Sequence, residues 1–220
     1  MDETAPLRIA VDPERVLAGR YELGEAIGRG GMAEVYRARD AVLDRQVAVK
    51  VFRSGTLLEE VDLRRQTETQ LLAGLSHPGL VTVFDAGADD TGGAPSAYLV
   101  MELIEGPTLR ELINRGPMPP EEVAPLGTQL ATALAYVHGR GIVHRDVKPA
   151  NILLTHPSLG HHDRVAKLTD FGVARILDST RLTTHGMTVG TANYLSPEQA
   201  TGADTTAASD VYALGLVLLE

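Results

Sequence analysis

The hydrophobic pattern of the chain changes near residues 104–106, and this change restricts the folds that the chain can adopt. Between residues 21 and 51, the strand-like runs "YELGEAI", "AEVYRARD" and "RQVAVKVF" are separated by turn residues, a pattern typical of antiparallel strands. "LVTVFDAG" and "AYLVMEL" continue this pattern, whereas from Leu109 onward the apolar residues recur at helical spacing. The sequence therefore predicts a β-rich first part and a helical second part, and ligands favour the cleft between two such lobes.

Two segments carry the clearest helical pattern. Residues 61–75, "VDLRRQTETQLLAGL", are charged and have leucines at helical spacing, which predicts a helix within the β-rich part. In the helical part, "EEVAPLGTQLATALAYVHGRG" ends at glycines, and Pro125 predicts a small kink in its first turns. Its spacing places five apolar residues on one face: Val123, Leu126, Leu130, Leu134 and Val137.

Composition excludes several classes of function. The 220 residues contain no cysteine, so disulfides and thiolate metal sites are impossible. The net charge of −9 argues against a nucleic-acid partner, which would favour clustered positive charge. The N-terminus lacks the pattern of a signal peptide, and no apolar run approaches the ~20 residues of a membrane helix. A cytoplasmic protein is the expectation.

The sequence stops inside a strongly apolar segment. "VYALGLVLL" is read as a buried core helix, and it is apolar on every side. We therefore expect the helical lobe to continue beyond Glu220, and a membrane anchor after that residue remains open.

A glycine-rich turn at residues 27–35, "IGRGGMAEV", separates two predicted strands. Gly28 and Gly30 would let backbone N–H groups approach phosphates without obstruction by side chains. The turn is weak evidence alone, since most glycine turns are only turns. It lacks the features of a dinucleotide fingerprint and of a P-loop.

Lys50 lies in the apolar run "VAVKVF". An edge-strand lysine that reaches solvent is one interpretation. The apolar residues on both sides favour an inward-facing lysine paired with an acid, and Glu68 on the predicted helix is the best-placed partner.

The segment "HRDVKPANILL", residues 144–154, places Asp146 between Arg145 and Lys148, with Asn151 five residues after the aspartate. It could be a structural charge cluster or a catalytic carboxylate beside a phosphate site. Asp170 follows a strand-like run in "RVAKLTD". If the strands between Asn151 and Asp170 form a hairpin, both residues lie beside Asp146. Such carboxylate and amide oxygens suit Mg²⁺ with phosphate completing its shell.

Five motifs together decide between these interpretations: "GRGGMAEVY", "VAVK", "HRDVKPAN", "DFG" and "GTANYLSPEQA". They occur in this order over nearly all of the chain after residue 28. With them the chain resembles the eukaryotic-like Ser/Thr protein kinases, closest to the bacterial kind. The resemblance implies an α+β, bilobal fold with a five-stranded antiparallel sheet and one main helix in the first lobe. The expected boundaries are a loose leader at 1–20, an N-lobe at 21–104 and a mostly helical C-lobe at 105–220, incomplete at its C-terminus.

The resemblance also implies a role for each motif residue. Lys50 would hold the α- and β-phosphates of ATP and pair with Glu68, and Lys148 would contact the γ-phosphate. Asn151 and Asp170 would ligate Mg²⁺, and Asp146 would accept the proton of the substrate hydroxyl. Residues expected along the phosphates and the adenine ring are Ile27, Gly28, Gly30, Val35, Ala48, Met101, Glu102, Ile104 and Leu153.

The resemblance also narrows the substrate class, because Lys148, two residues after Asp146, stands as in the Ser/Thr kinases and so implies serine or threonine of proteins as the acceptor. The hydroxyl of Thr191 would tie the substrate-binding loop to this pair. Phosphate on Thr183 or Thr184 would dock near Arg145, with a homodimer as one route to trans-autophosphorylation. The acid of "SPE", Glu198, would pair with an arginine beyond Glu220.

Two other functions stay open at this point. A pseudokinase or nucleotide-binding scaffold would not need the complete set Lys50, Glu68, Asp146, Asn151 and Asp170. A small-molecule phosphotransferase would lack the "GTANYLSPE" segment. The histidines at 156, 161 and 162 lie in an insertion, which we interpret as solvated loop because no fourth ligand is evident.

Overall fold

The computed structural model describes residues 15–31, 33–52, 74–89, 96–155, 164–170 and 191–220. Two compact units form the chain: Met1–Glu60 with Val83–Leu103, and Val61–Thr82 with Ile104–Glu220. Glu68, Thr183 and Thr184 lie outside the described residues, as do the histidine-containing insertion and all but the end of the predicted helix at 61–75. The predictions on these residues therefore stay predictions.

The first unit is built on one antiparallel sheet, which confirms the β-rich prediction. Its strands are β1 (Val16–Leu17), β2 (Tyr21–Arg29), β3 (Ala33–Asp40), β4 (Arg45–Phe52), β5 (Val83–Asp89) and β6 (Ser96–Met101). They are arranged in the order β1-β2-β3-β4-β6-β5, and all neighbours are antiparallel. The sheet has one strand more than predicted, because Val16 and Leu17, within the expected leader, pair with Glu22 and Tyr21.

One face of this sheet forms the core of the first unit. Successive side chains of a strand point to opposite faces, so alternate residues of β2, β3, β4 and β6 are buried together. The rings of Tyr21 and Tyr98 lie 5.9 Å apart, at a tilt of 60°, within this core. The buried cluster comprises Leu17, Tyr21, Leu23, Tyr36, Ala38, Val47, Val49, Tyr98 and Val100.

A buried acid lies at the end of β3, where the chain leaves the sheet. Asp40 is 0% exposed, and its two oxygens accept from Nε and Nη2 of Arg20 at 2.7 and 2.8 Å. The backbone N–H groups of Val42 and Leu43 also donate to its Oδ1. The hydrogen bonds from Arg20 are the main cause that lowers the pKa of Asp40 to about 2. Asp40 therefore holds the β1–β2 and β3–β4 turns together as an ionised group.

The second unit is mostly helical, as predicted. Its helices are α1 (Leu109–Ile113), α2 (Pro120–His138), α3 (Pro197–Thr201) and α4 (Ala207–Leu219). The unit also contains a short antiparallel strand pair, β7 (Ile152–Leu154) with β8 (Ala166–Leu168). Among the helices of the described ranges, none is long and apolar enough to cross a bilayer.

Helix α2 confirms the predicted apolar face. It begins with Pro120 at its first position, continues through Pro125, and ends before Gly139. Its buried residues are Leu126, Gly127, Leu130, Ala133, Leu134 and Val137, whereas the predicted Val123 is only half-buried.

Helix α4 buries one side and exposes the other. Ala213, Leu214 and Val217 are buried, together with the polar residues Ser209 and Asp210. The opposite side carries four exposed apolar residues, Val211, Tyr212, Leu218 and Leu219. In the described structure, therefore, only half of this apolar helix is covered.

Gly106 lies against the backbone at the end of β7. A Cβ atom added at this glycine would lie 1.6 Å from the carbonyl oxygen of Leu154. The contact is fixed nearby, because Leu154 N–H donates to Pro107 O at 2.9 Å and Thr108 pairs with Leu153. Residue 106 must therefore be glycine for this register to form.

We expect Gly106→Ala to destabilise the protein by about 1–3 kcal/mol, the usual cost of overpacking. Thermal unfolding followed by circular dichroism would measure the loss. Gly215→Ala is the matched control, since an added Cβ there meets nothing within 4 Å and alanine is the better helix former. Equal melting temperatures for the two variants would contradict the steric argument.

Candidate functional site

A buried carboxylate holds the loop that contains most of the predicted catalytic residues. We call residues 144–151 the catalytic loop. Asp210, 1% exposed, accepts from the backbone N–H of His144 at 2.7 Å and of Arg145 at 2.8 Å. Its Oδ2 also lies 2.7 Å from Nε2 of His138, on α2. Helix α4 therefore fixes the start of the catalytic loop through one side chain.

Arg145 has an unusual backbone conformation that explains why such an anchor is needed. Its φ is +71°, and a left-handed non-glycine residue persists only where its surroundings fix it. Sequence reasoning did not single out Asp210. The available signal was a lone acid at the start of an apolar helix, since a buried carboxylate needs hydrogen-bond donors.

His144 is buried within the same loop and supports the backbone of Asp146, two residues further on. Its Nε2 lies 3.1 Å from the carbonyl oxygen of Thr169, and its Nδ1 accepts from the N–H of Asp146 at 3.2 Å. Only the neutral ring protonated on Nε2 satisfies both bonds. Burial lowers the pKa of His144, which favours this neutral form. The ring is therefore a fixed support for the backbone of Asp146.

The structure brings three of the predicted site residues together at the Asp146 side chain. Its Oδ2 accepts from Nδ2 of Asn151 at 2.9 Å and lies 2.8 Å from Nζ of Lys148. Asn151 Nδ2 also donates to the backbone oxygen of Asp146 at 2.8 Å. The Asp146 side chain is 28% exposed, so an acceptor hydroxyl can reach it.

Asn151 directly precedes β7 and Asp170 follows β8, and the antiparallel pairing of these strands meets the condition on which the predicted magnesium site depends. The N–H of Thr169, the neighbour of Asp170, donates to the carbonyl oxygen of Asn151 at 3.0 Å. Because the amide nitrogen of Asn151 is turned toward Asp146, its amide oxygen faces away from that carboxylate. The amide oxygen of Asn151 and the carboxylate of Asp170 are the kinds of ligand that fit Mg²⁺.

In the first unit, most of the predicted phosphate and adenine residues lie on β2, β3 and β4 or in the turn between β2 and β3. The glycine-rich turn is closed by Gly30 N–H donating to Ala33 O at 2.9 Å, and Gly28 pairs with Val35 across β2 and β3. Lys50 pairs with Val35 and with Leu99 in the strand register. The Lys50 ammonium lies 5.8 Å from the ring centre of Phe52.

The remaining predicted nucleotide contacts lie in both units. Ala48 pairs with Met101, and both are buried, while Ile27 is 45% exposed. Glu102 directly follows β6 in the first unit, whereas Ile104 and Leu153 belong to the second.

The segment before α3 is anchored on two sides. Its backbone forms a 3₁₀ turn at Thr191–Tyr194, and the Tyr194 hydroxyl bonds both Arg110 and Glu220. Nη1 of Arg110 lies 2.6 Å from Oε1 of Glu220. Further along, the carboxylate of Glu198 accepts from the hydroxyl of Ser209. The segment is therefore tied to α1 and to α4.

Comparison with known proteins agrees with this geometry. The model of the protein kinase domain matches residues 21–220. The chain belongs to the protein kinase domain family. The bilobal α+β prediction and the resemblance to the bacterial Ser/Thr kinases are thereby confirmed.

Two bacterial serine/threonine-protein kinases are similar to this kinase domain over most of its length. It is 46% identical over 207 residues to the serine/threonine-protein kinase PknB of Mycobacterium leprae, and 44% identical over 206 residues to PrkC of Bacillus subtilis. These matches cover 93% of this chain but only 32% and 30% of the relatives. The chain thus spans about a third of their length.

Solved structures give the same answer for the fold. The kinase domain of PknI from Mycobacterium tuberculosis superposes with a TM-score of 0.70 at 31% identity, covering 93% of this chain and 74% of that one. A double mutant of the same domain gives a TM-score of 0.73 at 29% identity.

Proposed function

We propose that this chain transfers the γ-phosphate of ATP to serine or threonine hydroxyls of proteins. The observation that carries the proposal is the Asp146 carboxylate, bonded to Asn151 and close to Lys148 on a loop fixed by Asp210. Family membership and the bacterial Ser/Thr kinases among its relatives support it. A scaffold without activity would not require this arrangement.

In the proposed reaction the acceptor oxygen attacks the γ-phosphorus, and the bond to the β–γ bridging oxygen breaks. The hydroxyl proton passes to Asp146, and ADP leaves. Because the transition state of phosphoryl transfer is loose, Asp146 mainly orients the hydroxyl, and little proton transfer is needed early. The ammonium of Lys148, 2.8 Å from Asp146 Oδ2, limits repulsion between this carboxylate and the incoming phosphate.

The other predicted residues take supporting roles in the proposal. Asn151 and Asp170 would hold Mg²⁺, which neutralises charge on the phosphates when bound. Lys50 would bind the α- and β-phosphates, with Glu68 as its partner. The residues assigned to the adenine and the phosphates are Ile27, Gly28, Gly30, Val35, Ala48, Met101, Glu102, Ile104 and Leu153.

Incubation with Mg·ATP and a generic basic protein tests this function. We expect phosphate on serine and threonine of the acceptor, and none when EDTA removes the magnesium. ATP binding would be followed separately by thermal shift. Binding without transfer would support a scaffold, and turnover without any protein acceptor would support a small-molecule phosphotransferase.

The same incubation examines regulation. We propose that Thr183 or Thr184 becomes phosphorylated and that the phosphate pairs with Arg145. In this proposal the hydroxyl of Thr191 ties the substrate-binding loop to Asp146 and Lys148. A homodimer would allow one copy to phosphorylate another, and the cytoplasm would supply the ATP. Mass spectrometry is expected to find phosphate between Ile176 and Thr191. An active enzyme without phosphate in this segment would contradict the regulatory proposal.

A further inference from the structure

The carbonyl group of Arg145 accepts a hydrogen bond from a residue to which no role was assigned from the sequence motifs. Nε2 of Gln199 donates to Arg145 O at 2.9 Å. Gln199 lies in the first turn of α3, directly after the "SPE" sequence, and it is half-buried. The peptide group that links Arg145 to Asp146 is thus held at both ends, because its N–H donates to Nδ1 of His144.

The amide of Gln199 is itself fixed in one orientation. Its Oε1 accepts from the N–H of Ser196 at 3.1 Å and from the hydroxyl of Ser196 at 3.2 Å. Ser196 is fully buried. A flipped amide would place its nitrogen against the Ser196 N–H and its oxygen against the Arg145 carbonyl. The nitrogen therefore has to face the catalytic loop.

These contacts hold both backbone polar groups of Arg145, the residue with the left-handed conformation. Asp210 binds the N–H of Arg145 from α4, and Gln199 binds its C=O from α3. Asp146 directly follows, so the direction of its side chain depends on the orientation of this peptide. Small displacements of a reacting group lower rates strongly, on the order of 10²-fold for about 1 Å.

We propose that Gln199 is a positioning residue for the transfer reaction, acting through the Arg145 carbonyl to aim Asp146. It links the end of the substrate-binding segment, at Ser196, to the catalytic loop. This inference rests on the proposed function for its kinetic consequence, but its structural part stands on the geometry alone.

Gln199→Glu isolates the proposed interaction. Glutamate keeps an oxygen for both Ser196 donors, and it is a common residue at this position of a capping box. The substitution removes only the N–H donor of residue 199, and the carboxylate oxygen in its place repels the Arg145 carbonyl. We expect kcat to fall about 10–100-fold, with the KM for ATP little changed.

Gln129→Glu is the matched control. Gln129 on α2 makes the same kind of bridge, with Nε2 donating to Arg164 O at 3.3 Å and Oε1 accepting from Ala166 N–H at 2.9 Å. It is half-buried like Gln199 but does not contact the catalytic loop in the described structure. We expect its kcat to equal that of the wild type. Equal losses of kcat in both variants would overturn the proposal.

Hydrogen exchange tests the structural part without relying on activity. In the intact protein, the amides of Arg145 and Asp146 are expected to exchange faster in Gln199→Glu than in the wild type, and unchanged in Gln129→Glu. Unchanged exchange in Gln199→Glu overturns the positioning role even if the wild type proves inactive. A wild type that binds ATP without transferring phosphate would instead count against the proposed function alone.

Discussion

Asp146→Asn is expected to lower kcat by roughly 10²–10⁴-fold, the usual contribution of a positioned general base. The change removes the negative charge and the proton acceptor but retains the size of the side chain. An amide oxygen can still face Asn151 Nδ2 and Lys148 Nζ, the two groups that now contact Asp146 Oδ2. The fold and the affinity for ATP are therefore expected to stay near those of the wild type.

Initial-rate kinetics with Mg·ATP and a protein acceptor would measure this effect, with thermal shift reporting ATP binding in parallel. Asp204→Asn provides the control, since Asp204 is an exposed acid in the same unit and has no proposed role. Turnover at the wild-type rate in Asp146→Asn would exclude Asp146 as the residue that receives the proton.

The parts predicted well from the sequence depend on local pattern. The strand-like runs of β3 and β4, bounded by turn residues, and the apolar face of α2 are visible in the order of the residues, so the sheet and the helix could be predicted from the sequence. The hairpin between Asn151 and Asp170 was predictable in the same way, because two short apolar strands flank the insertion.

The support of the catalytic loop was not predictable in this way. Asp210 lies 65 residues after Arg145, and Gln199 lies 54 residues after it. Their bonds go to backbone groups, which every residue carries, so no side-chain pattern in the loop indicates them. Only the folded arrangement of α3 and α4 shows that both ends of the Arg145 backbone are held.

The burial of Asp40 was not predictable from the sequence either. In the sequence it is one acid of "RARD", and nothing distinguishes it from exposed acids nearby. Its burial results from the meeting of the β1–β2 and β3–β4 turns, which brings Arg20 and the N–H groups of Val42 and Leu43 to one carboxylate. Arg45 adds a weaker contact at 3.4 Å.

Asp40→Asn is expected to destabilise the protein by about 3 kcal/mol at neutral pH. Removing one partner of a buried ion pair costs roughly 3–5 kcal/mol, and the lower end applies because Arg20 is 30% exposed and water can solvate part of its charge. The midpoint of thermal unfolding would fall by on the order of 10 °C.

Asp44→Asn is the matched control in the same β3–β4 turn. Asp44 pairs with Arg39 at 2.7 Å, the same distance as Arg20 to Asp40, but its side chain is 80% exposed. Exposed ion pairs contribute about 0–1 kcal/mol, and asparagine tolerates the positive φ of this residue. Comparable losses in the two variants would show that burial of Asp40 does not determine its contribution.

The difference between wild type and Asp40→Asn is also expected to depend on pH. The folded pKa of Asp40 is lowered to about 2, below the value of about 3.9 for an unfolded aspartate. The carboxylate therefore stabilises the fold fully above pH ~4, and this contribution is lost as the pH falls from ~4 toward ~2. Urea unfolding of both proteins at pH 7 and at pH 3 is expected to show a smaller difference in unfolding free energy at pH 3. A difference that stays constant over this range would mean that the ionised Asp40–Arg20 pair is not what stabilises the turns, and that the shape of the side chain alone accounts for its effect.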